Sequence, residues 1–103
     1  MAASFVPGRF DLLALAALSS GPRPGHRVAL ELGRRTGRHP GELEWLAHET
    51  LRGLLADGLV REHRAFGLRG PRRSYELTRK GRARLATERR AWLGLARAAV
   101  RAA

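Results

Sequence analysis

The chain of 103 residues is long enough for one domain with a modest core and too short for two. Twenty basic residues against nine acidic ones give a formal net charge of +11, and every basic residue except Lys80 is an arginine. This charge attracts polyanions, first of all nucleic acid, because neutralising its phosphates releases bound counterions. The chain has no cysteine, which excludes disulfides, thiolate metal sites and cysteine nucleophiles.

The N-terminal region predicts no segment that targets the chain or anchors it. Residues 1–6 lack the charged-then-apolar pattern of a signal peptide. The longest apolar run, residues 12–18, is too short to span a bilayer. We therefore expect a soluble, cytoplasmic protein without a membrane partner.

Two short helices are predicted first. Residues 10–18 are almost wholly apolar, which is typical of a buried helix. The dense turn residues of the next segment, 19–25, indicate a loop. A second helix then ends at Thr36, where Gly37 is suited to the C-terminal cap.

A third helix of about four turns follows a break in the chain at residues 39–41. Pro40 can begin this helix, because proline is well tolerated in a first helical turn. Trp45 is interpreted as a packing residue, with a base-reading residue as the alternative, and Asp57 with Gly58 ends the helix. The apolar residues that recur at helical spacing and predict one buried face are Leu43, Ala47, Leu51, Leu54 and Leu55.

Two strands and a last helix complete the chain. The strands are predicted over residues 59–66 and 74–78, and the basic, glycine-bearing segment 67–73 between them is predicted to be a hairpin tip. The last helix runs from Thr78, a suitable N-cap, to about Arg101. Its apolar residues near heptad spacing are Leu85, Trp92, Leu95, Ala96, Ala99 and Val100.

This order of elements predicts a mainly α fold with a small β-hairpin. Three helices followed by a basic hairpin are typical of a winged helix-turn-helix, whose third helix enters the major groove of DNA. The hairpin, or wing, then approaches the phosphate backbone. We expect residues 1–78 to form a winged helix-turn-helix DNA-binding domain and residues 79–103 to form a C-terminal dimerisation helix.

Three segments match the pattern of a known family. Residues 12–15 and 21–26 are similar to its first helix and GPxHGY turn, with His26 where tyrosine is usual. Residues 54–60, LLADGLV, resemble its LExxGLV, and residues 72–82, RRSYELTRKGR, resemble its RRYYRLTxxGR. The chain thus resembles PadR-family transcriptional regulators of the short subfamily, which have a single C-terminal helix. The resemblance implies a regulator that binds duplex DNA as a homodimer.

The third helix departs from the family's SPGTLY start, whose serine, threonine and tyrosine tend to face DNA. Equating Pro40 and Gly41 with that Pro-Gly leaves four extra residues before Leu59, about one helical turn. Anchoring on Leu59 instead puts the tyrosine position on His48. In either alignment, negative charge is added to the helix that approaches DNA by Glu42, Glu44 and Glu49.

Basic side chains on the third helix and in the hairpin are the candidate DNA contacts. His48 and Arg52 lie four residues apart on one polar face, and arginine is the commonest direct reader of guanine. In the hairpin, the candidates for gripping phosphates are Arg69, Arg72 and Arg73. The alternative interpretation of these hairpin arginines is a solvated surface turn.

The apolar stripe on the last helix is the candidate dimer interface. Leu85, Trp92 and Ala99 repeat at seven residues with Leu95 alongside, and a two-fold contact would cover them. Alternatively, the stripe folds back on the core of its own chain. In drug-responsive PadR members an aromatic residue of this helix stacks against flat ligands within the dimer. The resemblance therefore implies Trp92 as a stacking residue for a small aromatic effector, with plain interface packing as the alternative.

The sequence predicts neither an active site nor a cofactor. His48 and Glu49 begin a zinc-binding HExxH pattern, but Arg52 stands where the second histidine is required. Glu44 and His48 have a spacing that could share a metal, and an ordinary ion pair accounts for it as well. We expect no bound metal and no enzymatic activity.

The predicted function is that of a sequence-specific, repressor-like transcriptional regulator that binds an inverted repeat. Two alternatives remain open. The chain could bind nucleic acid without sequence preference, because its charge favours any polyanion. It could also be a protein-interaction adaptor on a winged-helix scaffold, with the acidic third helix and the basic wing meeting another protein.

Overall fold

A computed structural model of the protein describes residues 9–67 and 70–102. In that part of the chain, four helices and one two-stranded antiparallel sheet are formed. The elements follow in the order α1 (Arg9–Ala17), α2 (Gly25–Thr36), α3 (Pro40–Ala56), β1 (Val60–Gly67), β2 (Gly70–Leu77) and α4 (Arg79–Ala102). The predicted order of elements and the mainly helical fold class are confirmed.

The core lies where the first three helices meet. The chain is buried from Ala14 to Leu18 at the end of α1, because α1 is apolar on nearly every side. Leu55, which was predicted on the buried face of α3, is only partly buried and packs against the edge of the core. The core residues contributed by α2 and α3 are Val28, Ala29, Leu32, Leu43, Ala47, Leu51 and Leu54. Each buried leucine or valine contributes roughly 1.5–3 kcal/mol.

The turn between α2 and α3 is fixed by its own residues. Gly37 adopts φ 72°, the left-handed conformation that glycine accepts without strain, which confirms it as the cap of α2. His39 precedes α3, and its Nδ1 accepts a hydrogen bond from the backbone N–H of Gly41 at 3.0 Å. This cap satisfies one of the backbone donors that a helix start leaves unpaired. No sequence pattern predicted this histidine cap.

The wing is longer than predicted. The two strands pair in antiparallel register from Val60 opposite Leu77 to Gly67 opposite Gly70. The second strand therefore begins at residue 70 rather than 74. Arg72 and Arg73 lie within β2 rather than in a loop tip, because pairing continues to the two-residue connection.

The loop before α2 joins the sheet through Arg23. Its N–H donates to the Tyr75 carbonyl at 3.0 Å, and the Tyr75 N–H donates back at 2.8 Å. A residue that precedes proline is driven to extended conformations, and Arg23 precedes Pro24. The loop predicted from residues 19–25 thus contains a one-residue strand at the base of the wing.

The start of α4 is fastened to the end of α3. We call this contact, formed by residues 57–59 and 78–81, the α3–α4 junction. The Thr78 Oγ1 donates to the Gly58 carbonyl at 2.7 Å and accepts from the Gly81 N–H at 3.0 Å, which confirms Thr78 as the N-cap. The Lys80 Nζ donates to the Asp57 carbonyl at 2.9 Å.

Gly81 is required at the junction because the junction has no room for a side chain. A Cβ atom built there would overlap the carbonyl oxygen of Leu59, so any larger residue would force α4 away from the start of β1. The two segments that resemble the family, 54–60 and 72–82, therefore meet in space. Gly81 of the second segment is explained by its packing against Leu59, and Thr78 is explained by its hydrogen bonds to Gly58 and Gly81.

None of the helices within the described ranges is both long and apolar enough to span a membrane.

Candidate nucleic-acid interface

The outer face of α3 carries the side chains predicted to contact DNA. At 3.6 residues per turn, the side of α3 that faces away from Leu43 and Ala47 bears Trp45, Arg52 and His48. All three are exposed. The core therefore does not depend on them, and the structure brings them together on one surface.

Trp45 corrects an expectation from the sequence. It was interpreted as a packing residue, but 72% of it is exposed. The reason is angular: the buried stripe of α3 is filled by smaller apolar residues, and Trp45 lies on the opposite side of the helix. Its neighbour Leu46 is partly buried and packs against the core instead. The helical periodicity of the buried face could have distinguished the two residues, because it places Leu46 beside that face and Trp45 opposite it.

The acidic residues of α3 have partners on the same helix. The Glu44 Oε1 lies 3.9 Å from the His48 Nε2, and the Glu49 Oε2 lies 3.6 Å from the Arg52 Nη1. Both pairs are exposed, so each contributes little to stability. Glu42 lies in the first turn, where a negative charge is favoured by the helix dipole. The carboxylates thus lie beside the two side chains predicted to contact DNA, and Glu49 partly neutralises the charge of Arg52.

His48 lies against the start of α2 and the base of the wing. A Cβ atom on Gly25 would approach the His48 Cε1 to 3.1 Å and the Tyr75 Cε2 to 3.7 Å. A side chain at position 25 would therefore press on the His48 ring and would be in ordinary van der Waals contact with the Tyr75 ring. Through this contact the outer face of α3 adjoins both the α2 start and β2.

The arginines of the wing differ in their partners. The Arg61 Nε lies 2.8 Å from the Glu76 Oε1. The Arg73 Nε lies 3.2 Å from the Glu62 Oε2, and the other carboxylate oxygen of Glu62, Oε1, lies 3.7 Å from the Arg64 Nε. No carboxylate of residues 9–67 and 70–102 lies within ion-pair distance of Arg72, which is exposed. Arg69, predicted to contact phosphates, lies outside the described residues. Arg72 is thus the wing arginine most available to an anion among those described.

The start of α2 adds basic residues that were not predicted from the sequence to contact DNA. Arg27 is exposed in the first turn of α2, and Arg23 lies just before the helix, where its Nη2 donates to the Ser20 Oγ at 3.3 Å. Together with Pro22 and Pro24 they border an open groove of about 270 Å³. The available sequence signal was two arginines at a helix start, where the dipole also favours anions.

The stripe on α4 is divided between two environments. Leu85, predicted at the dimer interface, is only 4% exposed and belongs to the core of its own chain. Every residue from 89 to 102 is exposed, and we call this segment the distal half of α4. The large side chains exposed there are Trp92 at 48%, Leu93 at 56%, Leu95 at 63% and Val100 at 76%. Ala99, also predicted at the interface, is exposed among them.

A groove of about 350 Å³ lies beside Trp92. Its apolar surface is formed by α1 and α4, and two arginines border it. One side of the Trp92 ring is therefore accessible from an apolar groove. The groove is lined by Leu12, Leu13, Ala16, Arg35, Arg89, Trp92 and Leu93.

The histidines and carboxylates of the described chain do not gather into a metal site. Searching residues 9–67 and 70–102 finds no group of three or more such side chains close enough to hold a metal ion. Glu44 and His48 form only the pair already described.

The three-helix core, the antiparallel wing and the exposed third helix define a winged helix-turn-helix. No protein-family model matches the sequence, and no curated protein matches it either. Solved structures do match the fold.

A PadR-like transcription factor from Bacteroides fragilis aligns over 97% of its chain with 99% of this one, at 20% identity and a TM-score of 0.79. A PadR-like regulator from Bacillus cereus aligns over 94% of its chain with 96% of this one, at 19% identity and a TM-score of 0.71. Bacillus subtilis PadR, solved in complex with operator DNA, aligns over 82% of this chain and 46% of its own, at 18% identity and a TM-score of 0.64. The chain therefore has the winged-helix fold of PadR-family regulators, and the resemblance seen in the sequence is confirmed for the fold.

Proposed function

We propose that this protein is a DNA-binding transcriptional regulator that binds duplex DNA as a homodimer and acts as a repressor. One observation carries the proposal: in a winged-helix fold, the exposed face of α3 adjoins two elements with exposed arginines, the α2 start and the wing. Phosphate contacts from such flanking elements position a protein on DNA, while the third helix meets the bases. Bacillus subtilis PadR, which shares the fold, was solved with operator DNA.

The homodimer is proposed from the distal half of α4. Large apolar patches are rarely left exposed on monomeric proteins, and this segment exposes Trp92, Leu95 and Val100. A two-fold axis would bury the distal halves of two copies against each other. Residues 1–78 of each copy would then bind one half-site of an inverted repeat, with residues 79–103 as the dimerisation helix.

Trp92 is also proposed to stack on a small aromatic effector. The supporting observation is the apolar groove beside its ring, which leaves one face of the indole open to a flat molecule. Binding of such a molecule next to the dimer contact would change how the two DNA-binding units are spaced.

The wing gives the most direct test of DNA binding. Changing Arg72 and Arg73 to alanine should weaken binding to all DNA sequences about equally, because phosphate contacts carry no sequence information. The slope of log affinity against log salt concentration should decrease by about 0.9 for each phosphate contact that is lost. Fluorescence anisotropy with a labelled duplex at several salt concentrations measures both quantities.

The matched control changes Arg90 and Arg101 to alanine together. It removes the same two charges from exposed sites on the distal half of α4, far along the chain from the wing. The control should keep the wild-type salt slope. An unchanged slope in the Arg72 and Arg73 variant would show that these side chains do not contact the backbone.

Specificity is assigned to α3, with Arg52 as base reader and His48 as a secondary contact. Arg52→Ala should cost roughly 1–3 kcal/mol against the preferred site and much less against random DNA. Glu49→Gln should tighten binding to random DNA, because it removes a carboxylate from the surface that approaches phosphates. The preferred site would come from sequencing genomic fragments that co-purify with the protein.

The adaptor alternative predicts a different outcome. Under it, Arg52→Ala leaves the ratio of specific to random affinity unchanged, and Glu49→Gln has no effect on DNA binding. DNA binding would then be weak and independent of sequence. A stable protein partner, recovered with the wild type, would be lost on substitution of α3.

A further inference from the structure

Trp45 occupies the outermost position of α3. The helix buries a stripe that includes Leu43, Ala47 and Leu54, and Trp45 projects from the opposite side with 72% of its surface exposed. Arg52 follows two turns later on the same side. The indole thus lies in the centre of the surface that the proposed function directs towards DNA.

An indole at this position is not needed by the core of its own chain. It is absent from the buried cluster and from the partly buried residues that pack against that cluster. A large exposed aromatic among polar neighbours commonly marks a contact surface, because tryptophan contributes much of the binding energy where it is buried by a partner. The polar neighbours here, about one turn away on either side, are Glu42, His48 and Glu49.

Those two carboxylates favour base edges over phosphates as the contact of Trp45. Phosphates repel carboxylates, so the strip of α3 around the indole is unsuited to the DNA backbone. The arginines that attract phosphates lie to the sides, at the α2 start and on the wing. When phosphate contacts on both sides hold the helix in the major groove, its outermost residues face the edges of the base pairs.

Base edges in the major groove display hydrogen-bond donors and acceptors and one apolar group, the 5-methyl of thymine. An indole is apolar apart from a single N–H donor. We propose that Trp45 is a specificity-determining residue that packs against the methyl group of a thymine in the major groove. This inference rests on the proposed function, and it commits the outer face of α3 to DNA rather than to another protein.

The geometry of α3 adds a constraint on the site. Residues 45 and 52 are seven apart, which is about 10 Å along a helix at 1.5 Å per residue. Base pairs in B-DNA follow at about 3.4 Å, so this distance spans roughly three steps. The thymine read by Trp45 should therefore lie about three base pairs from the guanine read by Arg52.

The test replaces each thymine of the selected site, one at a time, by deoxyuridine, which removes the methyl group alone. Wild-type protein should lose about threefold to fivefold in affinity at one position of each half-site, the effect of one buried methyl group. Trp45→Ala should bind more weakly and show no further loss at that position. Trp45→Phe should keep part of the loss, and Thr87→Ala, an exposed substitution on α4, should keep all of it.

Each outcome decides the inference. If Trp45→Ala keeps the full deoxyuridine effect, or binds the site as tightly as the wild type, Trp45 does not read thymine and its face serves another partner. If wild-type protein shows no sequence preference at all, the proposed function fails, whereas a sequence preference without any deoxyuridine effect overturns the reading of thymine by Trp45 alone. Circular dichroism should show every variant folded, because Trp45 lies outside the core.

Discussion

The two halves of α4 differ although they belong to one continuous helix. Residues 79–88 begin at the α3–α4 junction, with Gly81 against the Leu59 carbonyl and Leu85 in the core. The distal half has no buried residue, yet it bears large apolar side chains, Trp92 and Leu95 among them. The same helix therefore belongs to the core at its start and is exposed at its end, where the dimer contact is proposed.

Helical periodicity predicts which side of α4 is apolar, but it does not separate the buried half of the helix from the exposed half. The stripe that starts at Leu85 continues through Trp92 and Ala99 at constant spacing. Spacing identifies the side of the helix that is apolar, but it does not identify where the core of the chain ends. Along the described chain, that boundary lies between Leu85, which packs in the core, and Arg89, from which every residue to 102 is exposed. Substitutions in matched pairs, one from each half, can test the division.

Gly81→Ala should have the largest effect. The new methyl group would overlap the Leu59 carbonyl, so α4 must move and the Thr78 hydrogen bonds must be disturbed. We expect a loss of about 3–5 kcal/mol in the free energy of unfolding, at or above the usual range for overpacking. Urea unfolding followed by circular dichroism measures it.

Gly94→Ala is the control in the distal half. A Cβ atom there meets nothing within 4 Å, and alanine favours a helix interior over glycine by about 1 kcal/mol. This variant should be equal to the wild type in stability or slightly more stable. Equal destabilisation by both substitutions would contradict the division of α4.

Leu85→Ala should have the next largest effect on the protomer. Truncating a leucine in the core removes its burial and leaves a cavity, which costs about 2–4 kcal/mol. Leu95→Ala removes the same atoms from a side chain that is 63% exposed, so the protomer should lose less than about 0.5 kcal/mol. Thermal unfolding at low protein concentration compares the two, and a cost for Leu95→Ala as large as that for Leu85→Ala would place the distal half in the core.

Asp11 gives a smaller effect with a predicted pH dependence. Burial, together with the nearby Asp57 carboxylate, raises the pKa of Asp11 to about 6 from its ordinary value of 3.8, and Arg84 partly offsets the shift. The folded state therefore binds the proton more tightly than the unfolded state. Stability should decrease as pH rises from about 4 to about 6 and then stay level.

Asp11→Asn should remove this pH dependence. We expect the variant to be more stable than the wild type at pH 7 by about 1 kcal/mol and nearly equal to it below pH 4. Denaturant titrations at both pH values make the comparison. A wild-type stability that increases between pH 4 and pH 6, and still does so in the variant, would show that other groups dominate.

The smallest effect on the folded protomer is expected from the variant with both Trp92→Asp and Leu95→Asp. These residues are exposed, so the protomer should keep its fold. Light scattering should nevertheless show the mass change from dimer to monomer. Thr87→Asp, an exposed substitution on the opposite side of α4, should remain dimeric. A wild type that is monomeric at micromolar concentration would refute the dimer.

The sequence predicted most of the fold because local signals agreed with one another. Thr78 and Gly37 were recognised as caps, and the spacing of α3 defined its buried face. The first residues of β2 were missed, because Gly70 and Pro71 favour a turn when strand pairing is unknown. Pairing is a long-range property that a local pattern does not contain.

The candidate site was less predictable than the fold. Trp45 was assigned to packing because tryptophan is highly buried on average, and only its position opposite the core corrects that. Leu85 was grouped with the distal stripe because the spacing is continuous. The ion pairs of Glu44 and Glu49 follow from helical spacing, but their effect on His48 and Arg52 depends on side-chain placement.

The bridge between Arg23 and Tyr75 has a consequence for the order of folding. It joins residues far apart in the sequence, across the whole of α2, α3 and β1. The entropy of closing so long a loop opposes the contact until the helices between have packed. We therefore expect the wing to dock late, so that substitutions at its base accelerate unfolding more than they slow refolding.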